Sequence, residues 1–209
     1  MESQVKECLD AEVVRVFGED AQGTARAACE NLGVRGGEAI VVSSTSYHDA
    51  MSIAPYAYSK RVPVLLAGPD GRLSAETLSF INERGFERVV VIGGSAAVSS
   101  EVESQLGSRF AERVFGPDAV DTSAEVVRWE LKRGMEVSHM GIATARGWHD
   151  ALSGAALCGK NNSVMALAIP EKLDAIDAAL GAGAVVSGSV FGGTAAVPSS
   201  VEGYVRSRS

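Results

Sequence analysis

Three phrases occur twice, in the same order, along this chain of 209 residues. "RVFGED" at 15–20 returns as "RVFGPD" at 113–118, matching in five of six positions. "HDAMSIA" at 48–54 returns as "HDALSGA" at 149–155, matching in five of seven. "GGSAAVSSEVES" at 93–104 returns as "GGTAAVPSSVEG" at 192–203, matching in eight of twelve. The offsets are 98, 101 and 99, so only small loop changes separate the copies. Such a period is too long for a solenoid and long enough for an independent module. The chain therefore reads as a tandem duplication, with a lead-in segment at 1–12, a first module at 13–111 and a second at 112–209.

Within each copy, apolar runs alternate with helical stretches. The first copy offers "VVRVF" (13–17), "AIVVSS" (39–44), "VPVLLAG" (62–68) and "RVVVIGG" (88–94) as strands. The second offers "RVFG" (113–116), "MGIATA" (140–145), "VMALAI" (164–169) and "AVVSGSVFGG" (184–193). These runs are continuously apolar, which implies burial on both faces and a mainly parallel sheet covered by helices. Right-handed crossovers follow. The expected fold class is α/β, with two tandem three-layer α/β/α modules of flavodoxin- or toprim-like type. "SRFAERVFG" leads from the last helix of copy one straight into the first strand of copy two, with no Pro-, Gly- or Ser-rich linker. The modules are expected to pack tightly and to exchange that strand.

Charge and composition narrow the function. A net charge of −7 argues against a nucleic-acid partner and against adsorption to an anionic membrane. No apolar run approaches the roughly 20 residues that span a bilayer. The acidic start, "MESQVKECLDAEVV", is not a secretory signal, so the chain is either cytosolic or part of a longer exported protein. Cys8, Cys29 and Cys158 form no CxxC pair and read as free buried thiols. No HExxH-type spacing is present, and neither a metal nor a cofactor is expected.

The repeated phrases also hold the candidate site residues. His48–Asp49 and His149–Asp150 fall at helix N-termini just after strand ends, where open α/β sheets place ligands. Adjacent helical residues point about 100° apart, so each pair is no natural hydrogen-bonded dyad. The aspartates read as first-turn or capping residues, with ligand contact as the competing reading. The backbone at Gly93, Gly94 and Ser95, and at Gly192, Gly193 and Thr194, is either an anion-holding turn or a tight turn that only glycine tolerates. Tyr47 and Trp148 share one position before the helix and suit either stacking on a sugar ring or packing in the loop. Arg15 and Arg113 complete the set. Ser43, Ser44 and Ser46 sit in no G-x-S-x-G elbow, and no catalytic residue is expected.

The order of these landmarks resembles the cell-wall-binding repeat 2 family of Gram-positive surface proteins. Copy one supplies "FGEDAQGTA", "VVSSTSYHDAMSIAPYA", "PVLLAG" and "VVVIGGSAAVSSEV", and copy two "FGPDAVDTS", "ATARGWHDALSGAALC", "SVMALA" and "VFGGTAAVPSSV". The resemblance covers residues 13–209. It implies a non-catalytic module that anchors a surface protein by binding an anionic wall polysaccharide, outside the cell and within an exported protein. It also implies a pseudo-threefold arrangement, completed here by a third module in a longer chain or by self-association. Two features depart from the family pattern: its Arg-Tyr is replaced by Ala21–Gln22 and by Ala119–Val120, and copy two has "SVMALA" for its Pro-Ile-Leu-Leu strand. Two competing functions are a structural or oligomerising scaffold and a nucleotide- or sugar-phosphate-binding enzyme.

Overall fold

The computed structural model describes residues 12–208; Cys8 and nearly all of the lead-in segment lie outside them. In chain order the elements are α1 (Ala21–Asn31), β1 (Glu38–Ser43), α2 (His48–Lys60), β2 (Val64–Ala67), α3 (Ala75–Arg84), β3 (Arg88–Ile92), α4 (Glu101–Leu106) and β4 (Phe110–Val114). They continue with α5 (Ala119–Leu131), β5 (Glu136–Thr144), α6 (His149–Lys160), β6 (Ser163–Ala168), α7 (Asp174–Leu180), β7 (Ser187–Phe191) and α8 (Ser199–Arg206). The strands form two parallel sheets, ordered β2-β1-β3-β4 and β6-β5-β7. The fold is α/β with two modules, as the buried apolar runs require.

Each local turn follows from its residues. Asp20 and Asp118, the last residues of the first repeated phrase, cap α1 and α5: Asp20 accepts from the Gly23 amide, and Asp118 from those of Val120 and Asp121. Capping of this kind satisfies amides that have no intrahelical partner. The glycine two residues earlier is also explained. A side chain at Gly18 or Gly116 would collide with the first turn of the helix that follows. Thr24 and Thr122 bind the amides of those glycines at 3.0 Å, so the same device appears in both copies.

Strand period decides which core each residue enters. Ala39 and Val41 of β1, with Val89 and Val91 of β3, pack against the outer helices of the first module. Ile40, Val42, Val90 and Ile92 point the other way, into a core that also holds Met140 and Ile142 of β5 and Val164 and Ala166 of β6. Ile53 and Tyr56 of α2, with Val126, Val127 and Trp129 of α5, fill the space between the sheets. The two modules therefore share one central core. Arg133 ties them at the N-terminal ends of the strands, donating to Glu38 at 2.8 Å and Glu112 at 2.9 Å above the Trp129 ring.

Strand exchange occurs in one direction. β4, which carries the Arg-Val of the second copy's opening phrase, pairs with β3 of the first sheet. Its counterpart, "VVRVF" at 13–17, forms no strand, contrary to the expectation from its apolar pattern. A strand needs a neighbouring ladder to satisfy its backbone. β4 finds one on the preceding module, whereas no earlier module edge lies among the described residues. Val16 is accordingly 38% exposed, against 7% for its counterpart Val114.

Candidate functional site

The C-terminal ends of β1, β3 and β4 meet the start of α5 in a cleft of about 210 Å³, lined in part by Ser46, His48, Asp49, Gly94 and Asp118. His48 joins the modules here: its Nε2 lies 2.9 Å from the carbonyl of Ala145, at the end of β5. A carbonyl only accepts, so Nε2 carries a hydrogen, and Nδ1 is hydrogen-bonded with Ser46 Oγ at 3.1 Å. This contact is not a nucleophile–base pair repeated by design, because Gly147 stands in place of Ser46 in the second module. The bond also brings the Tyr47 loop beside the loop that leads from Ala145 to Trp148.

Each loop carries an aromatic ring stacked on the next imidazole. Tyr47 and His48 have ring centroids 4.1 Å apart, and Trp148 and His149 have theirs 4.2 Å apart. Trp148 is 44% exposed and His149 is exposed, while Tyr47 and His48 are half-buried. The second module thus presents its pair to solvent more fully than the first.

Asp49 is buried, and that burial pushes its carboxyl up to about 6. Its position explains the first glycine of the repeated pair. Gly93 has φ 116° and Gly192 φ 108°, a region side chains rarely enter. A Cβ at Gly93 would also strike Asp49 Oδ2, and one at Gly192 would come within 2.6 Å of Asp150 Oδ2. The aspartate at the helix start and the Gly-Gly turn are therefore one packing unit, present twice. Gly94 accepts from the amides of Ala97 and Val98, and Gly193 from those of Ala196 and Val197, which leaves Ser95 and Thr194 exposed at the tips.

The two arginines stand in different settings. Arg113, on β4, turns inward: Nη1 donates to the Gly93 and Val98 carbonyls at 2.8 Å, and Nε to Glu103 at 2.8 Å. It braces the Gly-Gly loop from below. Arg15 lies in the exposed segment before α1 and in no strand. Sequence reasoning missed Arg146, which shares the loop of Trp148 and pairs with Glu171 at 2.8 Å, both side chains being exposed. Its place beside the repeated Trp-His-Asp was the available signal; the first copy has Thr45 there.

Comparison with known proteins bears directly on this twofold layout. The sequence model described as "Cell wall binding domain 2 (CWB2)" matches residues 15–103 and 113–202. The chain belongs to the cell wall binding domain 2 family. Its two family modules are cell wall binding domains in tandem. Among curated relatives, N-acetylmuramoyl-L-alanine amidase LytC of Bacillus subtilis is 36% identical over 121 residues, covering 57% of this chain and 24% of the amidase. The amidase enhancer of the same organism is 31% identical over 127 residues, covering 60% of this chain and 16% of that protein. The chain thus spans a quarter or less of either relative. Among solved structures, Cwp6 from Clostridium difficile superposes with a TM-score of 0.81 at 21% identity, over 91% of this chain and 31% of Cwp6. Cwp8 from the same organism gives 0.80 at 20% identity, over 99% and 35%. At that identity these likenesses establish the fold.

Proposed function

We propose that these two modules hold a surface protein non-covalently on the Gram-positive cell wall by binding an anionic wall polysaccharide through the loops at their strand ends. The observation that carries this reading is the stacked aromatic–imidazole pair placed beside a Gly-Gly turn in both modules. A ring face suits a sugar, while the exposed His149 imidazole and the turn amides suit the anionic group it bears; both ring nitrogens of His48 are already bonded within the protein. The contact set is Tyr47, Gly94 and Ser95 in one module and Trp148, His149 and Gly192–Thr194 in the other, with Arg146 adding a cation; Asp49 and Asp150 pack against the glycine turns, and the Gly93 amide is bonded to the Val114 carbonyl. The net charge of −7 is compatible, because a local cluster of amides and cations sets the field at the loops. In this reading the protein works outside the cell as the anchoring part of an exported chain. Hydrolysis is not carried over from the amidase, since the match covers 24% of it.

One observation favours a scaffold without ligand. The positions that hold Tyr in the family pattern are spent on packing, and those that hold Arg carry alanine: Gln22 is buried and accepts from Ser74 and Thr77, and Val120 is 4% exposed, beside Ala21 and Ala119. Co-sedimentation with wall sacculi, untreated and acid-stripped of secondary polymers, decides between the two. Binding to untreated sacculi alone, weakened on the order of tenfold by Tyr47→Ala with Trp148→Ala, is the expected result. No binding to either preparation supports the scaffold, and binding that survives both substitutions moves the site elsewhere.

A further inference from the structure

The two sheets differ at one edge. β3 carries β4 on its outer side, whereas β7, its counterpart, pairs only with β5 among the described residues. β7 is exposed along residues 187–190, and a groove of about 380 Å³ beside it is lined by Ile142, Val186, Val190 and Val205. An open parallel edge with apolar neighbours is a template for another strand.

The duplication identifies that strand. The element that fills the equivalent place on the first sheet ends in Arg113-Val114 and runs on into Phe115-Gly116, a sequence that recurs as Arg15-Val16-Phe17-Gly18 in the segment that forms no strand here. The acceptor is duplicated as well. Arg113 is held by the carbonyls of Gly93 and Val98 and by Glu103, and their counterparts beside β7 are Gly192, Val197 and Glu202. Glu202 is partnered meanwhile by Arg206, one helical turn away at 2.8 Å.

We propose that residues 12–17 of a second copy of this chain add to the free edge of β7 as a parallel strand. The register of β4 on β3 pairs Val90 with Glu112, Val91 with Arg113 and Ile92 with Val114. Carried to the second sheet, it sets Val14 beside Ser189, Arg15 beside Val190 and Val16 beside Phe191. Arg15 then binds the Gly192 and Val197 carbonyls and takes Glu202 from Arg206. Donor and acceptor lie on different modules, so the contact is heterologous and runs head to tail.

Sedimentation velocity on the 209-residue chain is expected to show a mass at least twice the monomer's, rising with concentration. Arg15→Glu and Glu202→Arg should each lose the assembly, and the two combined in one chain should restore it. Disulfide trapping guards against variants that fold poorly. In a Cys8→Ser background, a Val14→Cys chain mixed with a Ser189→Cys chain should form a mixed dimer that a Glu83→Cys chain does not form with Val14→Cys. A monomer at every concentration with no mixed disulfide overturns the proposal. So does assembly indifferent to Arg15→Glu, or a Val14→Cys/Ser189→Cys chain that closes only on itself.

Discussion

Replacing Asp49 by asparagine should make the protein more stable at neutral pH and leave it unchanged in acid. Asp49 is 6% exposed, and burial raises its carboxyl from 3.8 to about 6. The folded protein therefore holds this proton more tightly than the unfolded chain does. The contribution of the neutral carboxyl is full below about pH 4 and is lost as pH rises to about 6, above which the penalty is constant. A difference of about two pKa units corresponds to about 3 kcal/mol. The α2 N-terminus offsets about 0.3–1 kcal/mol of that by favouring negative charge in the first turn. Asparagine keeps the shape and removes the charge, so Asp49→Asn should gain about 2 kcal/mol at pH 7.5, or about 4–8 °C in Tm for a protein of this size. Glu130 is fully buried and is also pushed up by burial, so the unmodified protein loses stability with rising pH at more than one site. Subtracting the two melting curves across pH 4–8 isolates Asp49. An Asp49→Asn protein no more stable than its parent at pH 7.5, or a difference that does not vary with pH, would refute the reasoning and show that the turn amides stabilise the carboxylate.

Three further outcomes follow from named contacts. Arg113→Met should cost about 2–4 kcal/mol in urea unfolding, because it strands the Gly93 and Val98 carbonyls and Glu103, and Arg113→Lys should recover little, since an ammonium cannot reproduce the planar fork. Gly159→Val should lower Tm sharply, as a Cβ there meets the Pro55 carbonyl and Tyr58 Cβ at 2.7 Å, whereas Gly203→Ala, in open space on α8, should raise stability by about 0.5–1 kcal/mol. The Cys158 thiol, pushed up to about 12 chiefly by burial, and the buried Cys29 should resist iodoacetamide at pH 8 in the native protein and label on unfolding, as read by peptide mapping.

The legible part of the fold was the part written in periodicity and repetition. Continuous apolar runs such as "AIVVSS" and "RVVVIGG" are buried on both faces, and that alone requires a parallel sheet between helix layers. Asp20 and Asp118 announce helix starts because capping is a local act between residues two or three apart. The site was legible as positions and not as roles. The repeated His-Asp and Gly-Gly marked the right loops, but the contact between Asp49 and Gly93, 44 residues apart, is a packing event that no spacing rule encodes.

By itself, then, the sequence determined the duplication, the α/β class, the helix caps and which loops gather at the strand ends, since each depends on neighbours in the chain or on hydropathy period. Only the tertiary structure decided that His48 spends Nε2 on Ala145, that Arg113 turns inward to brace a loop, and that two segments reading Arg-Val-Phe-Gly meet different fates. Both segments have the same local propensity. One lies beside a ladder with open hydrogen bonds and becomes β4; the other pairs with no edge among the described residues and remains outside any strand, because strand formation is settled by the partner and not by the strand.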